Sequence, residues 1–206
     1  MNKVIIFILL SAILIFSSKE AIAQSDLVLK LDRINLHSLD VEAKYKPFLT
    51  KSFEILDSVL GTQEFKKRLK AKKYQEAYVY HGRKKIRFNS EELYDYIMTG
   101  HEFPQNDRLN LQCEANKFDF WIKNDSCDGK AAGHVSSSHL EITLCYSSLE
   151  QNMALGNYAS MCRTIFHEYL HTMGFNHLRN FDEANRKSVV YRVAYIVQVI
   201  VKESGY

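Results

Sequence analysis

Two stretches of the chain carry apolar residues at every third or fourth position, the spacing that places them on one face of a helix. The first covers residues 48–60, follows Pro47 at a first-turn position and is closed by Gly61. The second covers residues 189–200 and predicts a closing helix. Packing against the core, rather than contact with a membrane, is the role expected of that helix.

Capping residues mark two further helices. Thr62 precedes a very basic stretch that extends to about Lys73, and its hydroxyl can cap the first turn. Ser90 is followed by two glutamates, which favour the positive end of a helix dipole, and that helix is predicted to end at Gly100.

Short stretches rich in β-branched and aromatic residues predict strands. Residues 78–80 and 85–88 flank the turn at His81-Gly82. Residues 109–111 and 118–122 lie in the middle of the chain. Residues 123–138 are polar and are predicted to form a loop.

Residues 139–145 alternate polar and apolar side chains, the period of a half-buried strand. The alternation places Leu140, Ile142 and Leu144 on the buried face and turns Glu141 and Thr143 outward. We expect this strand to form an edge of the sheet and to bind an extended substrate by strand addition. The whole pattern predicts an α+β fold, with helices packed on a small mixed sheet.

The first residues have the three parts of a secretory signal peptide. A basic start at Asn2-Lys3 leads into an apolar run over residues 4–16, and Ala21-Ile22-Ala23 forms a cleavage site. The run is shorter than the about 20 residues of a membrane-spanning helix. We expect cleavage after Ala23, a secreted or periplasmic location without a stable membrane span, and one domain over residues 24–206.

Charge argues against a nucleic-acid partner, because the net charge is only +3 at pH 7. The basic residues between Lys66 and Lys73 are expected to form a solvated helix face, since no aromatic ladder accompanies them. Nothing in the sequence favours a particular oligomeric state.

Four cysteines, at positions 113, 127, 145 and 162, follow the predicted signal peptide. Their even number in an oxidising compartment favours two disulfides over a zinc site built from all four thiolates, because no C-x-x-C pair is present. Three connectivities are possible, and we favour pairing of sequence neighbours, Cys113–Cys127 and Cys145–Cys162.

Residues 167–177 spell H-E-x-x-H-x-x-G-x-x-H. On a helix beginning near residues 159–160, His167 and His171 lie four apart on one face and can point two imidazoles at one ion. Gly174 permits the backbone to end the helix, and His177 can supply a third nitrogen. Three imidazoles leave the fourth tetrahedral position of one Zn²⁺ open for water, and Glu168 is placed to take that water's proton.

Other residues near the motif are open to two interpretations. Glu183 is a rival third ligand, and Asp182 is either a partner of a ligand imidazole or a solvated acid. Tyr191 and Tyr195 are candidates for stabilising an oxyanion or are structural tyrosines. The remaining histidines are expected at the surface or in hydrogen bonds: His37, His81, His101, His134 and His139.

The eleven-residue motif resembles that of the metzincin clan of zinc-dependent metallopeptidases. More loosely, the segment from Phe166 to His177 is similar to the HEWxHxxGFxH segment of small secreted bacterial zinc peptidases. The resemblance implies a zincin-like fold, zinc ligands at His167, His171 and His177, and a general base at Glu168. Metzincins carry a methionine in a turn after the third histidine, whereas this chain has none beyond Met173. Val190 is the residue we assign to that place.

These observations predict a secreted or periplasmic zinc metallopeptidase with Glu168 as general base and a peptide or protein as substrate. Two alternatives remain open. One is a zinc hydrolase of a non-protein amide such as a cell-wall peptide. The other is a catalytically silent, zinc-stabilised binding or toxin-like module, although a purely structural zinc site has no need of Glu168.

Overall fold

In the computed structural model, a five-stranded mixed sheet with helices packed on it forms the frame of an α+β fold. The structure describes residues 28–74, 77–81, 84–100, 117–127, 131–135, 141–177 and 187–206. The predicted signal peptide and the candidate strand at residues 109–111 lie outside these ranges.

The sheet is built from strands distant in sequence. Its strands are β1 (Val28–Lys30), β2 (Ile34–Asp40), β5 (Phe118–Asp125), β6 (Gly133–Val135) and β7 (Glu141–Cys145). In space they follow the order β1-β2-β5-β7-β6. The β2–β5 and β5–β7 pairs are parallel, whereas β1 and β6 run antiparallel to their neighbours. A separate hairpin pairs β3 (Tyr78–His81) with β4 (Lys84–Arg87).

Besides a short 3-10 helix at Ala43–Tyr45, six α-helices complete the described fold: α1 (Lys46–Leu60), α2 (Gln63–Lys70), α3 (Ser90–Met98), α4 (Tyr146–Ala154), α5 (Tyr158–Thr172) and α6 (Val189–Glu203). The first three begin with local signals. A proline occupies the first turn of α1, and the Thr62 side chain accepts a hydrogen bond from Phe65 N at the start of α2. A capping box of Asn89 and Glu92 starts α3, one residue before the predicted cap at Ser90.

Aromatic side chains join α5 to the sheet. Phe118 and Phe120 on β5 are fully buried, and both rings contact Tyr169 of α5, with centroid distances of 5.5 and 4.3 Å. The Tyr169 hydroxyl donates to Gly100 O at 2.9 Å. Burial of such large apolar rings contributes most of the packing energy between these elements. It fixes the position of the helix that carries the HExxH residues.

The edge position predicted for residues 139–145 is wrong. Strand β7 lies inside the sheet, with β5 on one side and β6 on the other. Ile142 and Leu144 are buried as predicted, but Thr143, expected to face outward, is buried as well. A strand paired on both sides has no unpaired backbone groups for a substrate, so the proposed binding by this strand fails.

Several elements differ from the sequence prediction. Strand β6 and the end of β5 lie within the stretch predicted as a loop, and β1, β2 and α4 were not predicted. The very basic helix ends at Lys70 rather than near Lys73. The other described elements agree with the prediction to within a few residues.

Both favoured disulfide pairings are wrong, because Cys127 is bonded to Cys145. The antiparallel pairing of β6 with β7 explains this disulfide. Cys145 ends β7, and its backbone N–H donates to the carbonyl oxygen of Ala132, just before β6. This pairing brings the segment around Cys127 close to Cys145. Cys162 is a buried free thiol that donates to Ser52 O of α1 at 3.2 Å. Its side chain thus faces α1 rather than Cys145.

None of the helices in the described part of the chain is long and apolar enough to cross a membrane.

Candidate metal centre

Helix α5 presents the first two histidines of the motif side by side. His167 and His171 lie one turn apart, and their ring centroids are 5.1 Å from each other. This is the spacing expected for residues four apart on a helix face. Both side chains are half-buried, so they face the surface of the fold rather than its core.

A glycine turn brings the third histidine back to the first two. Gly174 has φ of 91°, in the left-handed region, and Phe175 N donates to Leu170 O at 3.1 Å as the helix ends. Phe175 is buried against Tyr96 and Phe88 of the α3 region, with ring centroids 5.8 and 6.2 Å away. Anchoring of Phe175 directs the following residues, including His177, towards the helix.

Hydrogen bonding sets the tautomer of His171. Its Nδ1 lies 2.7 Å from Phe175 O, and because a carbonyl oxygen only accepts, Nδ1 carries the proton. Nε2 is then the unprotonated nitrogen, and it lies 3.1 Å from His177 Nε2. Two nitrogens bound to one tetrahedral zinc at 2.0–2.1 Å stand roughly 3.3 Å apart. The observed pair is therefore close to the separation that a shared ion requires.

All three motif histidines offer a ligand nitrogen within 4.8 Å of the other two. Burial, together with the positive charge that neighbouring His171, His177 and Arg163 can carry, lowers the pKa of His167 to about 3. Burial also lowers the pKa of His177. Neutral imidazoles are the form that binds a metal. The donor set therefore fits a cation, and His167, His171 and His177 are able to hold a metal ion.

Glu168 directly follows His167 on α5, but its side chain is turned towards the sheet. Its residue is 7% exposed, and burial raises the pKa of its carboxyl group to about 7. Strand β6 covers it: a Cβ added to Gly133 would stand 3.2 Å from Glu168 Cγ. An acid whose pKa lies close to the pH at which the protein works is suited to exchange protons with a reacting group. The sequence singled out Glu168 but missed the strand that shields it.

Tyr191, in the first turn of α6, contacts two of the three imidazoles. Its ring centroid lies 4.9 Å from that of His167 and 5.0 Å from that of His177. Tyr195, the other candidate, is 57% exposed, and no ring contact joins it to the described histidines. Val190, the residue assigned to the methionine position, is buried beside Tyr191. Of these residues, Tyr191 packs on the histidines of the candidate metal centre.

A second group of potential ligands contains Cys127, His134 and Cys145. Its two sulfurs are joined in the disulfide, so His134 is the one remaining donor of the group. His134 lies on β6 and its Nδ1 is 3.8 Å from Cys127 Sγ. Because alternate strand residues face opposite sides, His134 points away from the Glu168 side that Gly133 faces.

The other sequence candidates fall elsewhere. His37 stacks on Trp121 and hydrogen-bonds Asp119; it lies on β2, three strands away from β6 in the sheet. Asp182 and Glu183 lie outside the described residues, as do His101 and His139. The candidate centre is thus formed by the four motif residues, Tyr191 and the start of β6.

Comparison of the chain with protein-family models, with curated proteins and with solved structures gave no match. Its function is therefore inferred from the side chains of the site and their surroundings.

Proposed function

We propose that this protein is a zinc-dependent metallopeptidase. The observation that carries the proposal is the pairing of a three-imidazole cluster with a buried carboxylic acid on the same helix turn. The nitrogens of His167, His171 and His177 lie within 4.8 Å of one another, and the buried residue Glu168 directly follows His167 on the helix. A purely structural site of this kind has no need of a shielded acid with a pKa of about 7.

Each residue has a definite task in this proposal. The three histidines hold the metal, and the bond from His171 Nδ1 to Phe175 O orients one of them. A zinc ion there supplies Lewis-acid chemistry, since it acidifies water and polarises a carbonyl group. Glu168 accepts the proton of the attacking water and delivers it to the leaving amine. Tyr191 supports the imidazoles by ring contact.

Strand β6 supports a peptide as the substrate. In the described part of the chain it is hydrogen-bonded only to β7, so its other edge is unpaired next to Glu168. An extended peptide can add to such an edge through main-chain hydrogen bonds that do not depend on its side chains. We therefore propose that β6, rather than residues 139–145, binds the extended substrate by strand addition. The disulfide fits an oxidising compartment, and we propose secretion or periplasmic export through the N-terminal signal.

The test measures metal content and cleavage in the same preparation. Purified protein is assayed for zinc and then incubated with a mixed peptide library, whose products are identified by mass spectrometry. We expect about one zinc per chain, cleavage that stops when a chelator removes the metal, and recovery when zinc is restored. A fully loaded protein that cleaves no peptide would reject the proposal and favour a silent binding module.

A further inference from the structure

A cavity of about 290 Å³ lies beside the candidate site, between α4, α5 and the chain that leads into β6. Its wall includes Ala132, Ser147, Gln151, Ser160 and Thr164. None of the residues that line it is charged. The cavity belongs neither to the histidine cluster nor to the disulfide group.

Two segments that line the cavity, α5 and the residues that lead into β6, also carry residues of the candidate site. Thr164 lies one turn before Glu168 on α5, and residues four apart on a helix are about 5–6 Å from each other. Ala132 directly precedes Gly133, the residue that abuts Glu168. An extended peptide advances about 3.3 Å per residue. A side chain within about two residues of a bond held at Glu168 therefore reaches the cavity.

The polar groups of the wall have unused hydrogen-bonding capacity. No hydrogen bond joins the side chains of Ser147, Gln151 or Thr164 to another residue in the described ranges, and the same holds for the Ser160 hydroxyl. Hydroxyl and carboxamide groups can each donate and accept. The wall is thus able to pair with a ligand group that also does both.

We infer that this cavity is a substrate subsite that selects a neutral polar side chain, a carboxamide above all. The inference rests on the proposed peptidase function and adds the substrate preference. A charged side chain would lose solvation without meeting a counter-charge. An apolar side chain would displace water from the hydroxyl groups and leave them unpaired. The carboxamide of asparagine or glutamine is uncharged and can form hydrogen bonds with the polar groups of the cavity wall.

The expected preference is modest, because Ser147 and Gln151 are exposed and exchange a hydrogen bond with water for one with the ligand. We expect a carboxamide to be favoured roughly 3- to 10-fold over an apolar residue of similar size.

Matched peptides test the inference. The peptides differ at one position within two residues of the cleavage point and carry Gln, Glu, Met or Lys there. With zinc-loaded protein, kcat/KM should be highest for Gln at one such position. Thr164→Val keeps the side-chain shape and removes the hydroxyl, and Ser160→Ala removes the other hydroxyl on α5. Both should reduce the Gln-to-Met ratio, whereas Ser58→Ala, on the exposed face of α1, should leave it unchanged.

Binding of the same peptides to Glu168→Gln, measured by calorimetry, separates the two proposals. Equal cleavage of all four peptides, or a preference for Glu, Lys or Met, contradicts the subsite and leaves the peptidase function in place. Absence of cleavage together with Gln-selective binding that Thr164→Val abolishes supports the subsite and rejects the peptidase. Absence of both cleavage and selective binding rejects both.

Discussion

Gly133 and Glu168 are in such close contact that a methyl group added to Gly133 would have to push its neighbours aside by a few tenths of an ångström. A Cβ at position 133 would stand 3.2 Å from Glu168 Cγ and 3.0 Å from the Thr143 carbonyl oxygen. The backbone of β6 therefore sets the position of the proposed catalytic acid. Glycine at position 133 leaves the space next to it for the Glu168 side chain, and a larger residue would take up part of that space.

Gly133→Ala should lower peptide cleavage while metal content stays at its normal level. The added methyl group displaces either β6 or Glu168 by a few tenths of an ångström. Since a misplacement of about 1 Å can cost 10²-fold in rate, we expect a smaller loss, roughly severalfold. Steady-state kinetics and metal analysis on the same sample measure the two effects. Gly61→Ala is the control, because its Cβ meets only the mobile end of Arg33 at 3.3 Å. Unchanged kinetics in Gly133→Ala would show that the contact has no role in activity.

Glu168→Gln should keep its metal and lose nearly all hydrolysis, since an amide does not accept the proton of water. The loss should be about 10²- to 10⁴-fold, the usual contribution of general acid–base catalysis. Cleavage rates of equally metal-loaded wild type and variant provide the measurement. Wild-type turnover by the variant would assign the base to another group.

His177→Ala should weaken zinc binding strongly, because it leaves two imidazoles where three now converge. Competition with a chromogenic chelator gives the affinity. His134→Ala is the matched control: His134 belongs to the group whose sulfurs form the disulfide, and its removal should not change zinc affinity. Equal affinities in the two variants would contradict the ligand assignment.

The ring of Tyr191, rather than its hydroxyl, should support the metal centre. Tyr191→Phe retains the contacts at 4.9 and 5.0 Å and should bind zinc as wild type does. Tyr191→Ala removes them and should bind about 10-fold more weakly, at the lower end of what residues behind the ligands contribute. The same competition assay applies. Weak zinc binding by Tyr191→Phe would contradict this prediction, because it would show that zinc affinity depends on the Tyr191 hydroxyl.

Peptide mapping without reductant should recover Cys127 linked to Cys145. The pair encloses a loop with a sequence separation of 18, so loss of the bond in Cys127→Ser/Cys145→Ser should lower the free energy of unfolding by ~3 kcal/mol. Denaturant unfolding measures this value. A Cys145–Cys162 or Cys113–Cys127 peptide would contradict the connectivity.

Cys162 should resist alkylation in the folded protein. Burial raises the pKa of its thiol to about 12, so at pH 8 the reactive thiolate is scarce, and the side chain is also inaccessible. Iodoacetamide should label it only after unfolding. Rapid labelling of the native protein would show that the α1–α5 contact opens in solution.

The sequence predicted elements whose signals are local. Helices α1 and α6 have long apolar stripes, and the first two histidines of the candidate metal centre are related by a single helical turn. Local spacing was sufficient in each case, because the partners in question are neighbours along the chain.

Features that depend on pairing between distant segments were missed. The interior position of β7 follows from β6, whose three residues are too few to show an alternation. Likewise β2 pairs with β5 across more than 80 positions, so its place in the sheet has no local signal. The disulfide was misassigned for the same reason, since it follows the strand ladder rather than proximity in sequence.

The two parts of the candidate site differ in how they assemble. The three imidazoles lie within residues 167–177, so a single helix and its turn are enough to bring them together, and closing such a short loop costs little entropy. Glu168 meets Gly133 only after β5, β6 and β7 have paired, which brings distant segments together and is slower. We therefore expect the histidine cluster to assemble early in folding, and the shielded surroundings of Glu168 to form last.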